Sequence, residues 1–414
     1  MKATSYSLLL FIFTGFWLYL INTLMITDVW DESNFLIGLE SPPFSEFSLL
    51  ESIKYVWTHQ ISIYRPLPMS VALLIESFAG PDFLYFRYFN VISLILSISL
   101  LSLSLHKYFF LSPSKVAVFY LLSLYSSSVL ITGGWFANIF DALALLFISL
   151  GVFLMLQKKY RISAVLIGGA FFCKEISILI IPFLGFIAYT KKLKYEELLT
   201  PAIIILVLGA LYGIIRQSLI PLGSQNDLHG FATEAFLPSF MTFLKSFWWQ
   251  HTKFSENSLS AWIGLLVFIL SIISIKGLVS KAFAGIIVLI SALAYWNMFT
   301  YQEEVIISSN NFIGRLYLIP SILLLYILSI KANKYIFSAI GLLIFSGVIN
   351  TYVDHRRFQN LYADIYKLAK EQNKPVFIHY PEKALSDHTR NVFIGHYPDT
   401  HLHIDINKAK IIEK

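Results

Sequence analysis

Three carboxylates stand within five residues in Asp28-Val29-Trp30-Asp31-Glu32. Carboxylates this close repel one another when ionised, a cost to stability that something must compensate. A partly desolvated carboxylate there suits proton abstraction from an attacking hydroxyl. About thirty residues further on, Tyr64-Arg65-Pro66-Leu67 sets a guanidinium beside an aromatic ring, and Pro66 fixes the chain direction just after it. A planar guanidinium can grip a phosphate through two parallel N–H bonds. Lys174-Glu175 interrupts an apolar run, and Arg315 opens a late one in Gly314-Arg315-Leu316-Tyr317-Leu318-Ile319-Pro320. Carboxylates plus three cations are what is needed to deprotonate an acceptor while holding an anionic phosphate leaving group. Each group also has a plainer reading. The acids would be a solvated loop, Arg65 and Arg315 would snorkel to lipid phosphate, and Lys174 and Glu175 would form a mutual ion pair that fixes packing.

These residues must be positioned by membrane-embedded helices. Of 414 residues, 57% are hydrophobic, 16% aromatic and only 14% charged, and the mean hydropathy is +0.68. A water-soluble fold of this size has no interior large enough for that much apolar surface. Soluble enzymes, disordered chains and fibrous repeats are excluded. A net charge of +6 reads as the Lys and Arg bias of cytoplasmic loops rather than as a nucleic-acid surface. The single Cys173 forbids an intrachain disulfide.

A helix needs roughly 20 apolar residues to cross the hydrocarbon core. The first candidate runs from Ser7 to Ile26 and reads as a retained anchor rather than a cleaved signal. Others begin near Phe83, Val116, Phe136, Ser163, Ile176, Ala202, Leu259, Ala282, Phe312 and Tyr335. The expectation is an all-α polytopic membrane protein of about eleven spans. The two short runs on either side of Lys174-Glu175 read as separate helices, because basic clusters flank the pair on both sides (Lys158 to Arg161, Lys191 to Lys194). Loops rich in Lys alternate with acidic or mixed ones, which places the N-terminus in the cytoplasm and the acidic motif outside.

The expected organisation is a transmembrane domain over residues 1–353 and a small α/β extracytoplasmic segment over 354–414. The first outer loop, 27–82, holds amphipathic helices, among them Pro66 to Ala79, which is too short to span and suits the interface. The loop from Arg216 to Asn257, with Trp248 and Trp249, has interfacial composition. In the tail, a helix is expected over Phe358 to Lys370 and a strand over Pro375 to Tyr380. Gly209-x-x-x-Gly213 is at most a packing motif.

The order of these features resembles the GT-C integral-membrane glycosyltransferases, which use polyprenyl-phosphate sugars as donors. Asp31-Glu32 is similar to the Asp-Glu of protein O-mannosyltransferases and of the aminoarabinose transferases that modify lipid A. Asp-Glu-x-Asn-Phe, Tyr-Arg-Pro-Leu, Pro81-Asp82-Phe83 and Arg87-x-x-Asn90 look closer to the branch with the TPR-bearing O-mannosyltransferases and many bacterial relatives. The likeness covers about residues 1 to 350, and no TPR array follows.

The resemblance implies an inverting transfer from an undecaprenyl-phosphate sugar to an extracytoplasmic acceptor such as O-antigen or lipopolysaccharide, in a bacterial inner membrane. Lipid A or protein are further acceptors of this kind. It implies Asp31 as general base or acceptor-orienting group with Glu32 in support, Asp28 as a second candidate, and Arg65, Lys174 and Arg315 on the donor phosphate. Glu175 would orient Lys174, and Tyr64 would stand beside the phosphate. The competing readings are an O-antigen polymerase or ligase, and a lipid-linked sugar flippase. No cofactor is required; the three carboxylates are a possible divalent-metal site, but a metal-free site is the expectation. His401, His403 and Asp405 would share one face of a strand, where an exposed polar strand is expected rather than a metal site. Trp30, Tyr64, Trp248 and Trp249 are candidates for stacking on sugar rings.

Overall fold

The computed structural model describes residues 3–23, 44–59, 64–79, 83–134, 138–219, 236–248, 258–308 and 317–349, with strand residues 377–379, 392–393, 403–405 and 410–412 in the tail. The expected tail helix from Phe358 to Lys370 lies outside the described residues.

The membrane part is all helical. Its helices are α1 (Ala3–Thr23), α2 (Leu49–Thr58), α3 (Pro66–Ala79), α4 (Phe83–Phe109), α5 (Pro113–Leu124), α6 (Ser127–Gly134), α7 (Ile139–Leu156) and α8 (Tyr160–Phe171). A 3-10 turn (Glu175–Leu179) leads into α9 (Ile180–Lys191), followed by α10 (Tyr195–Leu219), α11 (Phe236–Ser246), α12 (Leu259–Ser274), α13 (Leu278–Ser308) and α14 (Leu318–Lys331). A last helix, α15, covers Lys334–Ile349.

Among the described residues, four stretches are long and apolar enough to cross a bilayer: Tyr85–Phe109, Ile139–Leu156, Tyr195–Leu219 and Leu278–Trp296. A fifth arises if α5 and α6, bent by 53°, count as one span. The expected count of about eleven is therefore not confirmed among the described residues. Every expected segment is at least partly helical, but α8 and α9 run for 12 residues each, α14 for 14 and α12 for 16. Twelve residues rise about 18 Å, well short of the hydrocarbon thickness. A hydropathy window cannot distinguish such a helix, buried among others, from one that spans.

In α14 every residue from Leu318 to Ser329 is buried. A helix apolar on all sides belongs in the middle of a bundle. Tyr326 anchors it, with its hydroxyl 2.6 Å from Ser104 Oγ and the rings of Phe109, Phe119 and Phe183 edge-on at 5.2–5.9 Å. Around it α4 packs on α7, α7 on α8 and α8 on α10, while α11, α12 and α13 form a neighbouring group. Helix α10 turns a row of apolar side chains outward, including Ile203, Leu206, Val207, Leu211 and Ile214, as a lipid-facing helix does.

Small residues let these helices approach closely. Ser163 Oγ donates to the Gly151 carbonyl at 2.7 Å, joining α7 to α8. At the α8–α10 contact, Gly168 accommodates Leu208, whose side chain a Cβ would meet at 2.3 Å. Among the described residues the Gly209/Gly213 pair forms no packing motif, since a Cβ on Gly213 would meet nothing within 4 Å. The tightest approach is Gly264 of α12, where a Cβ would stand 2.2 Å from the Lys245 carbonyl oxygen of α11. Backbone cannot yield there as a side chain can. Gly264→Ala is expected to destabilise the protein in detergent by about 1–3 kcal/mol, whereas Gly213→Ala, with open space around it, leaves the thermal midpoint unchanged or raises it.

The basic loops gather at one end of the bundle. Lys191 Nζ donates to the Tyr108 carbonyl at 2.5 Å, and the Lys276 amide to the Lys331 carbonyl at 3.0 Å. Lys192 and Lys331 line one crevice of about 490 Å³, and Lys158, Lys159 and Arg161 line another of about 460 Å³. Helix α7 runs from Ile139 toward this end, α8 returns from it, and α9 comes back to it. The first residues of α7, the end of α8 and the start of the 3-10 turn therefore share the opposite end, about 27 Å away by the rise of α7.

Between α1 and α4, α2 begins with a capping box. Ser48 Oγ and the Ser48 amide donate to Glu51 Oε2 at 2.6 and 2.8 Å, and the Glu51 amide donates back to Ser48 Oγ at 3.4 Å. The Ser48 hydroxyl, then its amide, hold the Glu51 carboxyl below its ordinary pKa. Helices α2 and α3 pack together, burying Val56, Ala72 and Leu73. In the tail, β1 (Phe377–His379), β2 (Val392–Phe393), β3 (His403–Asp405) and β4 (Lys410–Ile412) form a sheet in the order β2-β1-β3-β4. Strands β1 and β3 are parallel and the other two pairings antiparallel.

Candidate functional site

At the end opposite the basic loops, two ion pairs lie next to one another. Lys174 occupies the break between α8 and the 3-10 turn, with extended backbone at φ −162° and ψ 138°. Consecutive side chains on extended backbone point to opposite sides, so Lys174 and Glu175 take different partners. Lys174 Nζ donates to Asp141 Oδ1 at the start of α7, and both side chains are buried. Glu175 faces the other way: Arg65 Nη2 donates to its Oε2 at 2.8 Å, and Arg216 Nη2 lies 3.9 Å from its Oε1. The Tyr212 hydroxyl, on α10, is shared between Glu175 Oε1 at 3.1 Å and the Tyr64 carbonyl at 3.2 Å. Arg65 also lies over the Phe140 ring, 5.4 Å from its centroid, a cation–π contact.

An aromatic frame holds Arg65 in this place. Tyr64 is buried, stacks on Tyr212 at 6.0 Å, and donates its hydroxyl to the Trp57 carbonyl at 3.3 Å. Phe172, just after α8, meets Tyr212 edge-on at 5.3 Å and Trp57 at 5.6 Å. Trp57 Nε1 donates to Ser70 Oγ on α3 at 3.0 Å. Pro66 then starts α3 where a missing N–H does no harm. The Tyr-Arg-Pro-Leu segment is thus clamped between α2, α3 and α10.

The electrostatics favour an anion. Among the described residues, Arg65, Lys174 and Arg216 face two carboxylates, Asp141 and Glu175, which leaves one positive charge over. The buried Nε of Arg65 and that of Arg216 have no hydrogen-bond acceptor among the described residues. The Lys174–Asp141 pair is closed off, with side-chain exposures of 7% and 3%, whereas Glu175 and Arg216 are open at 30% and 32%. Any ligand must therefore approach from the Arg65–Glu175–Arg216 side. Two guanidinium groups on one carboxylate, each with donors left over, suit a phosphate oxyanion.

Arg65, Lys174 and Glu175, distant in sequence as two separate motifs, lie together here. Their pairing differs from expectation, since Glu175 orients Arg65 and Asp141 holds Lys174. The reason is the extended backbone at Lys174, which separates the two neighbours. Tyr64 serves as a buried strut, and its ring faces Tyr212 rather than an open site. Trp248 is also buried, donating Nε1 to Ser271 Oγ at 3.2 Å, so it packs the bundle instead of standing at an interface or stacking on a sugar. Asp28, Trp30, Asp31, Glu32, Trp249 and Arg315 lie outside the described residues.

Three members of the cluster escaped sequence reasoning. Asp141 carried a usable signal, as the lone acid in the 18-residue apolar helix α7, where an ionisable group implies a buried partner. Arg216 read as the start of a loop because it ends α10, and Tyr212 carried no signal at all. Neither of the crevices at the basic end includes a residue of the cluster. No group of three His, Cys, Asp or Glu side chains able to hold a metal occurs among the described residues. No family model matches this chain, and no curated protein or solved structure matches it.

Proposed function

We propose that the protein is a glycosyltransferase that moves a sugar from a polyprenyl-phosphate donor to an extracytoplasmic acceptor such as O-antigen or lipopolysaccharide. The observation that carries this reading is the convergence of Arg65, Arg216 and Lys174 with Glu175 and Asp141 at the bundle end opposite the basic loops. With those loops on the cytoplasmic face of a bacterial inner membrane, the cluster stands at periplasmic headgroup depth, where a lipid phosphate lies.

In this mechanism an acceptor hydroxyl oxygen attacks the anomeric carbon, and its bond forms as the bond from that carbon to the phosphate oxygen breaks. The configuration inverts. The acceptor proton passes to a carboxylate of the Asp28-Val29-Trp30-Asp31-Glu32 motif, with Asp31 as base and Asp28 as the second candidate. The polyprenyl phosphate departs with the negative charge, which the donors of Arg65 and Arg216 meet, with Arg315 a further candidate. Charge stabilisation of this kind is commonly the largest catalytic contribution. Asp141 and Glu175 are already matched by cations, so they act as positioning groups rather than as the base. Lys174, held by Asp141, contributes positive field from behind Arg65.

Asp31→Asn is expected to leave the protein folded and membrane-inserted while reducing sugar transfer from a polyprenyl-phosphate donor by about 10²-fold or more. The assay is product formation in detergent with purified protein. Full turnover in Asp31→Asn and also in Asp28→Asn would overturn the acid-motif mechanism. Translocation of the lipid-linked sugar with no glycosidic product would identify a flippase instead.

A further inference from the structure

One wall beside the charged cluster is polar, neutral and unsatisfied. Asn138 immediately precedes α7 and is one helical turn from Asp141, so the two side chains share a face. It is completely buried, yet neither Nδ2 nor Oδ1 has a hydrogen-bond partner among the described residues. Thr132, in the last turn of α6, is also completely buried, and its Oγ1 likewise has no partner there. Helix α6 packs against both α4 and α7, and Asn90 Nδ2 of α4 reaches the Thr132 carbonyl at a long 3.5 Å.

Leaving an amide unpaired in an apolar interior is unfavourable, and folded proteins keep few such groups. An apolar residue at position 138 would avoid the penalty, so the amide implies a ligand that completes it. An amide presents one acceptor and two donors, and a threonine hydroxyl presents both. Anions would meet the Asn138 carbonyl unfavourably, and cations the amide hydrogens. A neutral polyhydroxyl group matches both ends of the amide, because each of its hydroxyls donates and accepts.

We infer that Asn138 and Thr132 form the sugar-hydroxyl subsite of the donor, one helical turn from the Asp141–Lys174 pair. The inference rests on the reading of the protein as a polyprenyl-phosphate-sugar transferase, and it assigns recognition of the sugar ring to neutral groups on α6 and α7. The phosphate belongs to the Arg65–Glu175–Arg216 side.

The test measures binding of bare undecaprenyl phosphate and of its glucose, galactose and mannose esters to the purified full chain. At least one ester should bind more tightly than the bare lipid phosphate. Asn138→Leu should keep the affinity for the bare lipid phosphate and melt no lower than the parent. It should lose about tenfold of the sugar-dependent gain, since a lost hydrogen bond to a ligand is worth that order. Thr132→Val, nearly isosteric, provides the same comparison with less risk to folding. The inference is overturned if no ester binds more tightly than the bare lipid phosphate. It is equally overturned if both variants keep the gain, in which case water alone satisfies these groups. If bare undecaprenyl phosphate fails to bind the parent, or binds Arg65→Gln equally well, the transferase reading itself fails.

Discussion

Lys174→Met is expected to destabilise the protein by about 3–5 kcal/mol, the usual consequence of removing one partner from a buried ion pair. Asp141 would be left without its partner, with a side-chain exposure of only 3%, at a point where apolar helices exclude water. The double variant Lys174→Met/Asp141→Leu is expected to regain most of that stability, because apolar side chains of similar volume replace a buried pair with little net loss. Sugar transfer should not return with it, since the positive field behind Arg65 is gone. Denaturation midpoints in detergent, measured beside turnover, separate the two effects. Equal loss of stability in the single and double variants would show that the pair is not the source of the penalty. A double variant with restored turnover would make the pair purely structural.

Arg65→Gln should lower the transfer rate by about 10²–10³-fold, the scale seen when a donor aimed at developing charge is removed. Its effect on stability should be smaller than that of Lys174→Met. Glu175 keeps the Tyr212 hydroxyl at 3.1 Å and the Arg216 guanidinium at 3.9 Å, and it reaches solvent where Asp141 does not. Arg65→Lys keeps the charge but not the two-pronged N–H geometry, so it should recover only part of the rate. Arg65→Gln/Glu175→Gln provides the decisive comparison, because it removes the ion pair without leaving a lone carboxylate. If that variant transfers sugar at the parent rate, Arg65 only holds Glu175 in place and does not meet the leaving phosphate.

The aromatic frame explains why conservative changes around Arg65 should be felt at a distance. Tyr64, Trp57, Phe172 and Tyr212 come from four separate places in the chain, and each touches at least one of the others. The guanidinium is held through this frame as much as through its ion pair.

The cluster was partly legible from residue types. Arg65 beside Pro66, and Lys174-Glu175 between apolar runs, stand out because charges are unfavourable at membrane depth. Their partners were not legible. Arg65 meets Glu175 across 110 residues and Lys174 meets Asp141 across 33, and nothing local specifies either pairing. The adjacent Lys174 and Glu175 invited the wrong pairing, which a single extended residue prevents. Lipid exposure was not legible for a related reason: α14 has the composition of a spanning helix, and only the packing shows that its apolar surface is covered by other helices on every side.

Composition and one-dimensional hydropathy were enough to establish a helical membrane protein, where its helices begin, and where charges interrupt them. Those properties follow from local energetics, since each residue's transfer into an apolar medium and each backbone hydrogen bond within a helix depend on nearby sequence. Which charge meets which, which helix is covered by others, and which amide is left without a partner among the described residues emerged only once the helices were packed. Each of these depends on residues far apart in the chain meeting within a few ångströms, and that is a property of the assembled bundle.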